Sequence, residues 1–113
     1  MSLIIEQSDY FWADLQRQVD LYRDCAGSEI AAAYVDAVQA TLHQLARAPG
    51  IGRPRFRDRP ELARIRSWRV QEPYHRHLVF YRFDDQTLFA ERAIHGAHGL
   101  PRRLLQSPYE GED

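Results

Sequence analysis

Between Tyr74 and His98 the chain carries two tyrosines, four histidines (His75, His77, His95, His98) and the arginines Arg76, Arg82 and Arg92. These are the side-chain types that metal-independent cleavage of RNA requires. One group must take the ribose 2′ proton, one must protonate the leaving 5′ oxygen, and cations must meet the charge that develops on the phosphate. In such a site His77 or His95 would act as base or acid, and Arg82 or Arg92 would face the phosphate. Side-chain types without geometry do not make a site, so binding remains the competing reading of the same stretch.

Other chemistries find little support. The histidines lack a carboxylate at a metal-ligand spacing, so neither a metal nor another cofactor is expected. There is no Gly-rich phosphate loop, CxxC pair, HExxH or GxSxG. The single cysteine, Cys25, excludes an intrachain disulfide framework. No apolar run approaches the ~18 residues of a spanning helix, and the N-terminus lacks the pattern of a signal peptide. A cytoplasmic protein without membrane contact is expected.

These residues need elements to position them. Leu3-Ile4-Ile5 reads as a first strand. Ser8 is a good N-cap, and Phe11, Leu15, Val19 and Tyr22 recur on one face of the helix that follows, with Gly27 as its stop. Ser28 is expected to cap a second helix striped by Ala31, Tyr34, Val35, Val38, Leu42 and Leu45, which Pro49-Gly50 ends. The short link makes the two helices an antiparallel hairpin. Residues 49–60 read as a loop; its alternating Arg53, Arg55, Arg57 and Arg59 read first as a solvated basic stretch, with an anion-facing arm as the functional alternative.

Three strands follow: Ala63–Val70 with a bulge near Ser67, the nearly apolar His77–Phe83 as central strand, and Thr87–His95 after the turn Asp84-Asp85-Gln86. Leu100–Leu105 suggests a short helix, and about 106–113 a loose tail. The expected architecture is α+β, a single domain over 1–113. A two-helix hairpin packs on a small, mainly antiparallel four-stranded sheet in the order β-α-α-β-β-β, leaving the other sheet face partly open and basic.

Net charge is −1, but the halves differ. Residues 1–46 hold two arginines against seven acids, and residues 47–103 thirteen arginines against six. All fifteen cations are arginine. The planar guanidinium suits carboxylates and phosphates, so the basic half is expected to meet an acidic partner.

Four stretches occur in order: LHQLARAPGIGRPR, LARIRSWRV, HLVFYRF and RAIHGAHGLPRRLL. Their pattern of LA-x-x-PG-x-G-x-P, a strand ending in FYR, and a last strand running into HG-x-x-x-LP resembles the RelE/ParE superfamily of type II toxin–antitoxin toxins, closest to the ParE branch. The resemblance spans roughly residues 3 to 105. It implies the same hairpin-on-sheet fold and a growth-inhibiting toxin neutralised by a cognate antitoxin. It also implies DNA gyrase as target and operator DNA reached only through the antitoxin. The antitoxin would dock as an extended, partly helical segment, with Trp68, Phe80 and Leu88 as apolar contacts and Arg66, Arg69, Arg82 and Arg92 for its acids. The alternative is a RelE-like, ribosome-dependent mRNA interferase. The ribonuclease branch typically opens the central strand with arginine, whereas His77 stands here. It also places a basic cluster and a tyrosine in the C-terminal segment, where this chain has Ala97, His98 and Leu104, with Tyr109 further along. A non-enzymatic toxin is therefore favoured over a metal-independent endoribonuclease.

Overall fold

The structure is a computed structural model that describes residues 2–96 and 100–108. Strand β1 (Ile4–Gln7) leads into helix α1 (Asp9–Ala26). Ser8 sets the boundary, since its Oγ accepts the Phe11 N–H at 3.0 Å. Gly27 turns the chain at φ +99, a conformation other residues rarely adopt. Its N–H donates to the carbonyls of Tyr22 and Arg23, closing α1. Helix α2 (Ser28–Arg47) starts at once, so Gly27 stands at its N-cap and Ser28 is its first helical residue rather than its cap.

Beyond α2 the chain forms a single 3-10 turn at Pro49–Ile51 and strand β2 (Arg53–Pro54). A second turn at Pro60–Leu62 leads to strands β3 (Arg66–Arg69), β4 (His77–Phe83) and β5 (Thr87–His95), and then to helix α3 (Leu100–Leu105). The sheet has five strands in the order β1-β5-β4-β3-β2, with β1 parallel to β5 and the other neighbours antiparallel. This corrects the expected four strands. A two-residue strand containing proline is hidden in what reads as loop, and it can exist because it lies at an edge. The third strand is also shorter than expected, because residues 60–65 are spent on the turn that precedes it.

The bulge lies elsewhere than expected. Pairing of β3 with β4 is regular through Ser67. Between β4 and β5 the register shifts from Phe80↔Arg92 to Tyr81↔Ala90, leaving Glu91 as the extra residue. The start of α1 pins this irregularity. Ser8 N–H donates to Ala90 O at 3.0 Å, Ser8 Oγ donates to Glu91 O at 2.9 Å, and the Ala93 N–H donates to the Asp14 carboxylate at 3.0 Å. α1 thus satisfies the stretch of β5 that β1 does not reach.

One sheet face packs on the hairpin. Phe11, Leu15, Tyr34, Val38, Leu42 and Leu45 meet Val79, Tyr81, Leu88 and Ala90, all buried. Each buried valine, leucine or phenylalanine among them contributes about 1.5–3 kcal/mol relative to exposure. The opposite face is not left open. Leu78, Phe80 and Ile94 lie under Leu62, Phe56, Ile65 and Leu104, a second core supplied by residues 56–65 and α3. Central strand β4 is therefore buried on both sides, as its apolar composition requires. Among the described residues no helix is long and apolar enough to cross a membrane.

Candidate functional site

The histidine-tyrosine group is assembled, but inward. His77 opens β4 and is 2% exposed. The Tyr22 hydroxyl and His77 Nε2 are 2.7 Å apart. The rings of Tyr34 and His95 lie 4.8 and 4.7 Å from that of His77, centroid to centroid. Burial lowers the His77 pKa to about 4, with the neighbouring His95 adding to the effect. Burial likewise raises the Tyr22 and Tyr34 hydroxyls above their usual range. His77 is thus neutral near pH 7 and already hydrogen-bonded. Across the ladder, His95 is exposed. His98 and Tyr109 lie outside the described residues.

The expected phosphate-facing arginines are engaged within the chain. Arg92 is 7% exposed. Its Nε and Nη2 donate to Asp14 at 2.7 and 2.9 Å, and its Nη1 donates to the carbonyls of Arg103 and Gln106 at 2.9 and 2.6 Å. Arg82 Nε donates to Glu91 at 2.9 Å, and its guanidinium lies 4.1 Å from the Phe89 ring centroid. Arg66 Nη1 donates to Gly52 O at 2.8 Å and lies over Phe83. Among the described residues no group of three or more His, Cys, Asp and Glu side chains could hold a metal.

The seven residues expected on a docking face therefore separate. Phe80 and Leu88 are fully buried, one in each core, and Arg92 is locked in its ion pair. None of the three can touch a partner without the chain opening. Each carries an apolar or basic label that fits a binding face, and only tertiary packing distinguishes a core position from a surface one. Arg66 and Arg82 are partly exposed but already paired, while Arg69 is exposed and Trp68 half-buried against the main core.

Trp68 and Arg69 lie at the β2–β3 edge of the sheet. β2 pairs only with Arg66 and Ser67, so among the described residues the outer side of Trp68 and Arg69 has no strand neighbour. A groove of about 460 Å³ opens there, lined by Ile51, Arg53, Arg55, Ser67, Trp68, Arg69 and Leu78. Arg53 and Arg55 are exposed while Pro54 and Phe56 between them turn inward, which is the alternation of an extended arm. Ile51 was invisible as a site residue, since a lone aliphatic after Pro-Gly gives no signal of exposure. The groove joins an apolar floor, an open strand edge and three cations that are unpaired among the described residues, an arrangement that suits an extended acidic segment.

Comparison with known proteins bears on this geometry. A family model described as ParE toxin of type II toxin–antitoxin system, parDE, matches residues 5–98. Among solved structures, a chain described as the chromosomal ParDE TA system from P. aeruginosa has a similar fold, with a TM-score of 0.70 and 18% sequence identity. The match covers 85% of this chain and 98% of that one. No curated protein matches.

Proposed function

The chain belongs to the ParE toxin family of type II toxin–antitoxin systems, and from that premise we propose that it inhibits DNA gyrase by binding rather than by catalysis. It is a type II toxin, with an antitoxin as its partner. The observation that carries the non-enzymatic reading is the state of the acid-base candidates. His77 is buried, neutral and hydrogen-bonded to Tyr22, and Arg92 is spent on Asp14 and on the carbonyls of Arg103 and Gln106 at the end of α3. A ribonuclease needs those groups in contact with substrate. The toxin would act in the cytoplasm and reach operator DNA only through its antitoxin.

The antitoxin docks as an extended acidic segment along the β2–β3 edge. Its main chain pairs beside Trp68 and Arg69, its apolar side chains meet Ile51 and Leu78, and its acids meet Arg53, Arg55 and Arg69. The acidic hairpin and the basic second half of the toxin orient the approach. Supercoiling by purified gyrase tests the target. The toxin should inhibit it, and equimolar antitoxin should restore it. Unchanged supercoiling at stoichiometric excess of toxin would remove the proposal.

A further inference from the structure

Ser67 lies at the floor of the β2–β3 groove and is 4% exposed. Among the described residues its hydroxyl makes no hydrogen bond, whereas a buried hydroxyl ordinarily finds a partner. The strand ladder fixes what stands around it. Arg53 of β2 is directly opposite Ser67, which puts both side chains on one sheet face with Cβ atoms about 4.5–5.5 Å apart. Arg69 stands two residues further along β3 on that same face, about 7 Å from Ser67 and diagonal to Arg53. Leu78 pairs with Arg69 and gives the apolar wall beside it. Arg53 and Arg69 are exposed, both are unpaired among the described residues, and no acid is among the described residues that line the groove. The main chain is open at the same point. The Val70 N–H donates inward to His77 O, so the N–H and C=O of Arg69 turn the other way, to the side without a strand neighbour among the described residues.

We propose that Ser67 anchors one acidic side chain of the antitoxin: an aspartate or glutamate carboxylate sits over Ser67, accepts from its hydroxyl, and is flanked by the guanidinium groups of Arg53 and Arg69. The proposal rests on the docking of an acidic segment along this edge and adds which position of that segment carries specificity. Across the sheet Ser67 stands between Arg53 and Phe80, a small side chain between two large ones, and so leaves a recess in its row. The hydroxyl supplies one hydrogen bond and the two guanidinium groups supply the rest, which satisfies a carboxylate taken out of water. The residues on either side of the acid point to the opposite face, where half-buried Trp68 stands, so apolar neighbours complete the pattern. A nucleic-acid phosphate would bring the charge without the main-chain pairing or the apolar neighbours.

The probe is a capped nine-residue peptide, threonine and valine alternating around one central glutamate, titrated into the isotopically labelled full chain at about 0.15 M salt and followed by NMR. Shifts should concentrate at Ser67 and at the Arg53 and Arg69 side chains. Glutamine in place of the glutamate should weaken binding roughly tenfold or more, since a charge-assisted contact becomes a neutral one. Ser67→Ala should weaken the glutamate peptide by about fivefold to tenfold. It should nonetheless melt at or above the native temperature, because the hydroxyl it removes is buried and has no partner among the described residues. Arg57→Gln, an exposed position outside the groove lining, should change the affinity less than about twofold at this screening. Four results would each overturn the proposal: glutamate and glutamine peptides bound alike, Ser67→Ala binding as tightly as the native chain, a nine-nucleotide single-stranded DNA bound more tightly than the glutamate peptide, or no binding by the native chain. The titration contains no gyrase, so a toxin that leaves supercoiling unchanged would remove the target reading and not this anchor.

Discussion

Asp14 and Arg92, 78 residues apart in sequence, meet in a two-point ion pair with both side chains 9% exposed. The same guanidinium donates to the carbonyls of Arg103 and Gln106, so one side chain ties α1, β5 and the segment after α3 together. Asp14→Ala leaves a buried cation unpaired and should destabilise the fold by about 3–5 kcal/mol, whereas Asp14→Leu with Arg92→Met should cost much less. Chemical denaturation of the three chains checks this. A double variant no more stable than Asp14→Ala would show that the pair itself, rather than avoidance of an orphaned charge, holds the fold.

Gly52 and Tyr81 make the second tertiary tie. The Gly52 N–H donates to the Tyr81 hydroxyl at 2.9 Å, and that hydroxyl donates to Pro49 O at 2.6 Å. A methyl group on Gly52 would overlap the Tyr81 ring, which is fully buried. Gly52→Ala should therefore destabilise by about 1–3 kcal/mol through overpacking. Tyr81→Phe should cost a similar amount, since it strands a donor and an acceptor. Melting temperatures equal to the native chain's would rule both ties out as contributors.

Acid should weaken the fold through His77. Its pKa of about 4 in the folded chain lies below the 6.5 of an unperturbed histidine, so between those values the unfolded chain binds the extra proton. The stability contributed by neutral His77 is complete above about pH 6.5 and is lost as pH falls toward 4. The linked loss is on the order of 2–3 kcal/mol. Urea midpoints measured across that window should decline for the native chain and decline less for His77→Phe. Parallel declines would place the effect on other groups.

The docking groove predicts a separation of binding from stability. Arg53→Glu with Arg69→Glu should weaken antitoxin binding roughly tenfold or more, because acids would then face acids. Folding stability should stay within about 0.5 kcal/mol, since both side chains are exposed. Leu88→Ala should do the opposite, losing about 2–5 kcal/mol of stability from a fully buried position. Surface plasmon resonance alongside thermal melts distinguishes the two classes. Antitoxin affinity unchanged by the charge reversals would move the docking face elsewhere.

Local signals carried the helices, the central strand and the hairpin turn. Ser8 caps as its type suggests, and Phe11 and Leu15 are buried as their spacing requires. Asp84 accepts the Gln86 and Thr87 N–H groups, so an Asp-Asp-Gln turn is readable from residue type. Ser28 is a local miss, a first helical residue where its type suggests a cap, and the larger misses are tertiary. Nothing near Leu3–Ile5 reveals that its strand lies parallel to β5, and nothing near Arg92 reveals a carboxylate on α1. An arginine in an alternating strand looks like a surface cation until its partner is known. The second core was missed for the same reason, since Leu62 and Leu104 sit in short segments without periodicity. The alternation of Arg53, Arg55, Arg57 and Arg59 is legible in the sequence and all four are exposed, whereas the groove beside them exists only in the fold.

The central claim, a binding toxin rather than a nuclease, rests most directly on one comparison. Gyrase supercoiling would be measured with native toxin and with His95→Ala, together with primer extension on translated mRNA from cells expressing each. Equal inhibition of supercoiling by both proteins and intact message in both cell lines is the predicted result. Cleavage at codons in the native sample that disappears with His95→Ala, with supercoiling untouched, would contradict the account.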